Sequence, residues 1–222
     1  MTIEKYLHKD SMSIVFLGDF NPVILQPFWL FNKGLIREEE AKNAKIGVIH
    51  NEIVKYQLDW VGIEISKQRC EFRTTKSPYF YPVKDLATSV FKILRETPIK
   101  AVGINHIFDL QLPNAEKYYE FGNILCPLNN WNESLNDPRL LQLEVIEKDR
   151  KDGLKGQYRI RITPSKPNIA NGVSISINDH LDLENDQAGI NMEIVKKLEE
   201  NWSESINRAN KTVLNILQKT NL

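Results

Sequence analysis

Two short strings hold side chains able to do chemistry. Asp19 and Asn21 stand in Gly18-Asp19-Phe20-Asn21-Pro22, and Asn105 and His106 in Gly103-Ile104-Asn105-His106. A carboxylate beside an imidazole is a minimal apparatus for moving a proton. Each string lies at or near the first strand of one half of the chain. If those strands are neighbours related by a pseudo-twofold axis, Asp19, Asn21, Asn105 and His106 converge on one cleft, able to hold a small ligand or serve an enzyme. A plainer reading stands beside it. Gly and Asn tolerate positive φ and Pro fixes φ, so residues 18–22 also make a turn. His106 shares its parity with Val102, Ile104, Phe108 and Leu110, which is the pattern of a core imidazole. No nucleophile elbow of the form G-x-S-x-G is present.

Other side chains point to binding rather than bond-making. His180 closes a strand in Asn178-Asp179-His180, where a turn accounts for the Asn and Asp. Trp131 lies in the polar run Leu128-Asn129-Asn130-Trp131-Asn132-Glu133; it either pins that loop to the body or anchors a partner, since buried tryptophans dominate binding hot spots. Arg69 and Arg73, and likewise Arg159 and Arg161, recur at even spacing on strands. Gathered on one exposed sheet face they would form a nucleic-acid surface. Against that, Lys+Arg and Asp+Glu both number 29, so the chain carries no net positive field.

Metal and cofactor chemistry find no foothold. The four histidines stand apart without H-E-x-x-H spacing, and neither phosphate-loop pattern, G-x-x-x-x-G-K-[ST] or G-x-G-x-x-G, occurs. Cys70 and Cys126 form no C-x-x-C pair and read as two buried thiols in a reducing cytosol. The longest apolar runs, such as Ile14-Val15-Phe16-Leu17, fall far short of a membrane span, so no membrane partner is expected.

The elements that must position these residues follow from periodicity. Residues 1–12 read as a polar leader. Ser13 to Leu17 is a strand, and a compact helix starting near Pro27 stops at Gly34. Arg37 to Ala44 makes an exposed helical turn or two. Period two takes over from Ile46. The parity of Val54, Tyr56 and Leu58 flips at Trp60-Val61-Gly62 to that of Ile63 and Ile65, marking a bulge or reversal before a strand from Arg69 to Thr74. Val83, Leu86, Ala87, Val90, Phe91 and Leu94 step at helical spacing. The second half repeats this order. It has a strand from Ala101 to Leu112, a helix from Ala115 to Leu125 and an Asn-rich loop. Strands at Leu141–Val145, Tyr158–Ile162 and Val173–Ile177 follow. A last helix runs from Ile194 to Leu217, longer than one small sheet requires, so its end is expected to project or to meet another subunit.

The expected fold is therefore α+β, a tandem duplication of strand–helix–strands–helix over 13–97 and 98–222, with a largely antiparallel sheet and helices on one face. Local likenesses agree: Phe28-Trp29-Leu30-Phe31-Asn32 resembles Tyr118-Tyr119-Glu120-Phe121-Gly122, and Ile63-Glu64-Ile65-Ser66-Lys67 resembles Ile160-Arg161-Ile162 followed by Ser165-Lys166. The strings Gly18-Asp19-Phe20-Asn21-Pro22 and Gln26-Pro27-Phe28-Trp29, together with Gly103-Ile104-Asn105, Pro164-Ser165-Lys166 and Asn178-Asp179-His180, resemble a sporadically distributed family of uncharacterised bacterial proteins. That family brings no activity with it. The element order also resembles the duplicated saddle of TATA-binding proteins, a likeness of architecture that does not transfer function. The expectation is a non-catalytic binding protein of the bacterial cytoplasm that engages a protein partner or forms a homo-oligomer. A small-ligand or catalytic cleft near Asp19, Asn105 and His106 is the first alternative, and nucleic-acid binding through the sheet the second.

Overall fold

The computed structural model describes residues 2–165, 169–183 and 191–222, which leaves Lys166 outside the described residues. Nine strands form one antiparallel sheet: β1 (Leu7–Gly18), β2 (Lys45–His50), β3 (Ile53–Gln57), β4 (Gly62–Ser66), β5 (Arg69–Thr74), β6 (Ile99–Gln111), β7 (Leu143–Glu147), β8 (Gly156–Pro164) and β9 (Gly172–Asp182). Their spatial order is β2-β3-β4-β5-β1-β6-β9-β8-β7. Read outwards from the central β1–β6 pair, β5 matches β9, β4 matches β8 and β3 matches β7, with β2 as an extra edge strand of the first half. The helices are α1 (Pro27–Asn32), α2 (Glu38–Lys42), α3 (Phe80–Ile93), α4 (Ala115–Leu125) and α5 (Asn191–Lys219). The likenesses noted in sequence fall on topologically matching elements, α1 with α4 and β4 with β8.

Strand alternation decides which side is covered. Met12, Ile14 and Phe16 of β1, Phe72 of β5 and Val102 and Ile104 of β6 turn to one face and are buried there with Val83, Val90 and Phe91 of α3. On the same face Leu110, Ile162, Val173, Ile175 and Ile177 pack with Phe121 of α4 and Ala209, Val213 and Leu217 of α5. Ile194, Val195, Leu198 and Trp202 of α5 belong to the first of these clusters. The last helix is long because it seals both halves. Its 29 residues, about 43 Å at 1.5 Å per residue, cross from one core to the other, and Leu217 and Thr220 are buried at its end. The expectation that this end projects is corrected.

Two further expectations are corrected, and the period-two run from Ile46 resolves into two strands. Residues 7–12 are not a leader: β1 begins at Leu7, pairing with Leu110 of β6, and Tyr6 is buried among the residues of the second core. Ile46 to Gln57 is a hairpin, β2 and β3, reversing at Asn51-Glu52. The strand expected over Leu141–Val145 is shifted to Leu143–Glu147, leaving Leu141 exposed. Cys70 is fully buried, and burial pushes its thiol far above the usual range, so it does not supply a thiolate. Cys126 is only half-buried, and neither cysteine is bonded to another. No helix among the described residues is long and apolar enough to cross a membrane.

The Gly18-Asp19-Phe20-Asn21-Pro22 string has a structural explanation. Where β1 leaves the sheet, Asp19 N–H donates to the Pro98 carbonyl at 2.9 Å, and Phe20 N–H donates to the Lys67 carbonyl at 2.8 Å. A Cβ on Gly18 would lie 2.2 Å from the Pro98 oxygen, so this crossing admits glycine alone. Phe20 then drops into the core against Phe91, with ring centroids 5.8 Å apart.

Candidate functional site: the open face of the sheet

The cleft expected from Asp19, Asn21, Asn105 and His106 does not form. Consecutive strand residues point to opposite faces, so Asn105 and His106 are separated by the sheet itself. His106 is buried under the helices, stacked on Phe108 at 5.9 Å and edge-on to Phe80 at 5.9 Å. Burial pulls its pKa down to about 4, and its Nε2 finds no hydrogen-bond partner among the described residues. Asp19 and Asn21 lie elsewhere, exposed at the rim of a cavity of about 380 Å³ beside Phe91, Arg95 and Pro98. Trp131 is 52% exposed and does not pin its loop. Leu128 and Leu140 do so instead, meeting Tyr118, Tyr119 and Phe121 around a crevice of about 30 Å³, while the Arg139 guanidinium stacks 3.8 Å from the Tyr119 ring.

The structure brings together Asn105, His180 and all four arginines. The uncovered face has Arg69 and Arg73 on β5, Asn105 on β6, Asn178 and His180 on β9, and Arg159 and Arg161 on β8. Strand register aligns one row across its middle: Gly62, Arg73, Ser13, Asn105, Asn178, Arg159 and Ile146. At about 4.8 Å between strands, Arg73 and Arg159 stand about 19 Å apart. Between them runs a chain of hydrogen bonds. Asn178 Nδ2 donates to Asn105 Oδ1 at 2.6 Å, and Asn105 Nδ2 donates to the Ser13 hydroxyl oxygen at 3.3 Å and its carbonyl at 3.4 Å. Period-two alternation puts Asn105 on this face; its partnership with Asn178, 73 residues away, is a matter of register that sequence does not show.

Most of the charge on this face meets charge of the opposite sign. Lys55 meets Glu64 at 2.7 Å, Arg69 meets Glu71 at 3.0 Å, and Arg159 and Arg161 both meet Glu144 at 3.3 Å. The Lys55 ammonium holds the Glu64 carboxyl below the usual carboxylate range. His180 shares a 3.1 Å hydrogen bond with Asp182. Arg73 differs: it is exposed, no carboxylate among the described residues lies within ion-pairing distance of it, and it acts on Glu64 only through the field that helps lower that carboxyl. Interspersed with these are partly exposed apolar side chains, Leu17, Ile107 and Ile146.

Behind this face lies a cluster that sequence reasoning missed. Arg150, whose side chain is 1% exposed, donates to Asp179 at 2.5 Å and grips Asp152 with two bonds of 2.9 and 2.6 Å. Arg208 of α5 donates to Asp152 at 3.2 Å and to Glu147, with its guanidinium stacked 3.8 Å from the Tyr158 ring. Arg150 also donates to the His180 carbonyl at 3.2 Å, which ties the β7–β8 loop to the strand that carries Asn178 and His180. Hydrogen bonding to Arg150 holds the Asp152 carboxyl below its usual range. No grouping of His, Cys, Asp and Glu able to hold a metal ion occurs among the described residues. No family model matches this chain, and neither does any curated protein.

Proposed function

We propose that the protein is a non-catalytic binding protein of the bacterial cytoplasm that seats another polypeptide on the open face of its sheet. The observation that carries this reading is the composition of that face. Hydrogen-bonding amides and hydroxyls, partly exposed Leu17, Ile107 and Ile146, and charges of both signs lie side by side over the sheet. Mixed apolar and polar surface is what non-obligate protein interfaces are made of, and arginine is enriched there. Glu71 meets Arg69 and Glu144 meets both Arg159 and Arg161, so carboxylates stand among the arginines where a phosphate backbone would lie, which favours a polypeptide over nucleic acid. Asn105 and His106 lie on opposite faces of the sheet, so this reading draws on the open face and not on a cleft shared by the two. Two unbonded cysteines fit a reducing compartment.

The test is site-specific photocrosslinking of the full chain in an extract of its native host. A benzoylphenylalanine replaces Ile107 on the open face or, as a control, Glu200 on the exposed side of α5. Discrete protein adducts from position 107 that are missing from position 200 are the expected result. Identical patterns at both positions, adducts with nucleic acid, crosslinks to a second copy of this chain, or no adduct at all would overturn the reading.

A further inference from the structure

The one open-face arginine without an ion-pair partner among the described residues also borders a cavity, and the hydrogen-bonded chain across the face ends in the same place. We infer that Arg73 and Ser13 form a subsite for a single carboxylate, the side chain of an acidic residue on the docked polypeptide. This deepens the docking reading and rests on it.

The cavity, about 390 Å³, is lined by Ser11, Ser13, Trp60, Arg73 and Ile107, together with two acidic groups, Glu71 and Asp59. Both acids are already matched: Glu71 by Arg69 at 3.0 Å, and Asp59 by Lys76 at 3.3 Å. Arg73 is left without an ion-pair partner among the described residues; the carboxylate that feels its charge, Glu64, is already bound to Lys55 at 2.7 Å. Its neighbour across the strand pair is Gly62, where a Cβ would stand 2.6 Å from Gln57 Oε1 and 3.0 Å from Arg73 Nε, so the glycine leaves room for both side chains.

The second observation is the polarity of the Asn178–Asn105–Ser13 chain. Each amide donates toward β1, and the Ser13 oxygen is occupied as an acceptor by Asn105. The Ser13 O–H therefore remains to donate, and Ser13 borders the cavity. Successive bonds in one direction polarise each other and strengthen the final donor. A guanidinium and a hydroxyl donor side by side suit a carboxylate. One net positive charge matches a monoanion, while Glu71 and Asp59 nearby disfavour the second charge of a phosphate group. Ile107 and the Trp60 ring supply apolar walls for the methylenes of a glutamate.

The experiment follows the side-chain Nε–H resonances of the intact, ¹⁵N-labelled protein, with Arg73 assigned by its loss in Arg73→Lys. The probe is N-acetylglutamic acid α-amide, whose only charge is the side-chain carboxylate, with the neutral glutamine analogue and phenyl phosphate as comparisons. The expected result is a saturable shift of Arg73 with a dissociation constant of roughly 1–10 mM, the range of one weak contact. Arg69, Arg159 and Arg161 stay in place, the glutamine analogue has no effect, and Ser13→Ala weakens the probe severalfold. Parallel shifts of all four arginines, a silent Arg73, an unchanged affinity in Ser13→Ala, or tighter binding of phenyl phosphate would overturn the subsite. Crosslinks from Ile107 do not require Arg73, so their persistence with a silent Arg73 removes the subsite and leaves the docking face standing.

Discussion

On either side of the central Ile14–Ile104 pair, the helix-covered face is closed by opposite means. β5 places Phe72 beside Ile14, whereas β9 places Asp179 beside Ile104. Phe72 is fully buried and meets Phe16 and Phe91 edge-on, at 6.3 and 6.4 Å between ring centroids. Asp179 is equally out of reach of water, but it is matched by Arg150. One topology thus tolerates an aromatic seal in one half and an ionic one in the other. The aromatic seal draws on area removed from water and edge-to-face packing. The ionic seal must first overcome the desolvation of two charges, and in return it ties a loop, a strand and α5 to one point.

The largest expected effects compare the two seals directly. Phe72→Ala should lose about 3–5 kcal/mol, the range for emptying a buried aromatic site. Arg150→Ala should lose a similar amount for a different reason, because it leaves Asp179 buried without a partner. The difference lies in rescue. Arg150→Met combined with Asp179→Leu should recover most of the loss, while no second substitution that removes a charge can repair Phe72→Ala. Urea unfolding midpoints of the three variants measure this. A double variant as unstable as Arg150→Ala would end the description of the second half as an ionic seal.

The next effect separates the halves by pH. His106 is buried neutral, with its pKa pulled down to about 4 from an ordinary 6.5. Between those values the unfolded chain binds a proton that the folded chain refuses, so stability rises with pH from about 4 to 6.5 and is flat above. The contribution at stake is roughly 3 kcal/mol, at 1.36 kcal/mol per pH unit. His106→Leu should remove this slope. The difference in unfolding free energy between wild type and variant, measured at pH 4.5 and 7, gives the result directly. An unchanged difference would mean that His106 gains a proton within the fold. Phe72 and its neighbours have nothing to titrate, so Phe72→Leu should shift stability by the same amount at both pH values.

Much of the architecture was legible because it is written in period. The strands of the first half, the parity flip at Trp60-Val61-Gly62, the Val83 helix and the repeat of the order all follow from side-chain alternation. That same rule also forbade the cleft: Asn105 and His106 are consecutive in a strand and had to point apart, so the error was available for correction in the sequence. Other features were not. The Asn105–Asn178 bond spans 73 residues and depends on which strands become neighbours. The meeting of Arg159 and Arg161 with Glu144 depends on the register of β7 against β8, which sets Glu144 opposite Arg161. The leader was misread because His8, Lys9 and Asp10 are polar, while what secures the segment is backbone pairing of Leu7, Lys9 and Asp10 to β6, to which Asp10 adds a bond accepted from the Ser77 hydroxyl at 3.2 Å.

The smallest effect concerns the outer part of the ionic seal. Charges on α5 such as Lys196 and Glu200 are exposed. Arg208 instead meets Asp152 and Glu147, 56 and 61 residues away. Its side chain is 24% exposed, so the ion pairs are screened and contribute little, while stacking on Tyr158 adds about 0.5–1 kcal/mol. Arg208→Ala should therefore lose about 1 kcal/mol, well under Arg150→Ala, and raising salt to 1 M should remove only the ionic part. Arg208→Met retains much of the contact with the Tyr158 ring and loses the charge, so it should fall between wild type and Arg208→Ala. If Arg208→Ala matched Arg150→Ala in unfolding midpoint, the seal would be a single cooperative unit reaching from β9 to the helix, and the contrast with Phe72 would extend to the whole second half rather than to one buried pair.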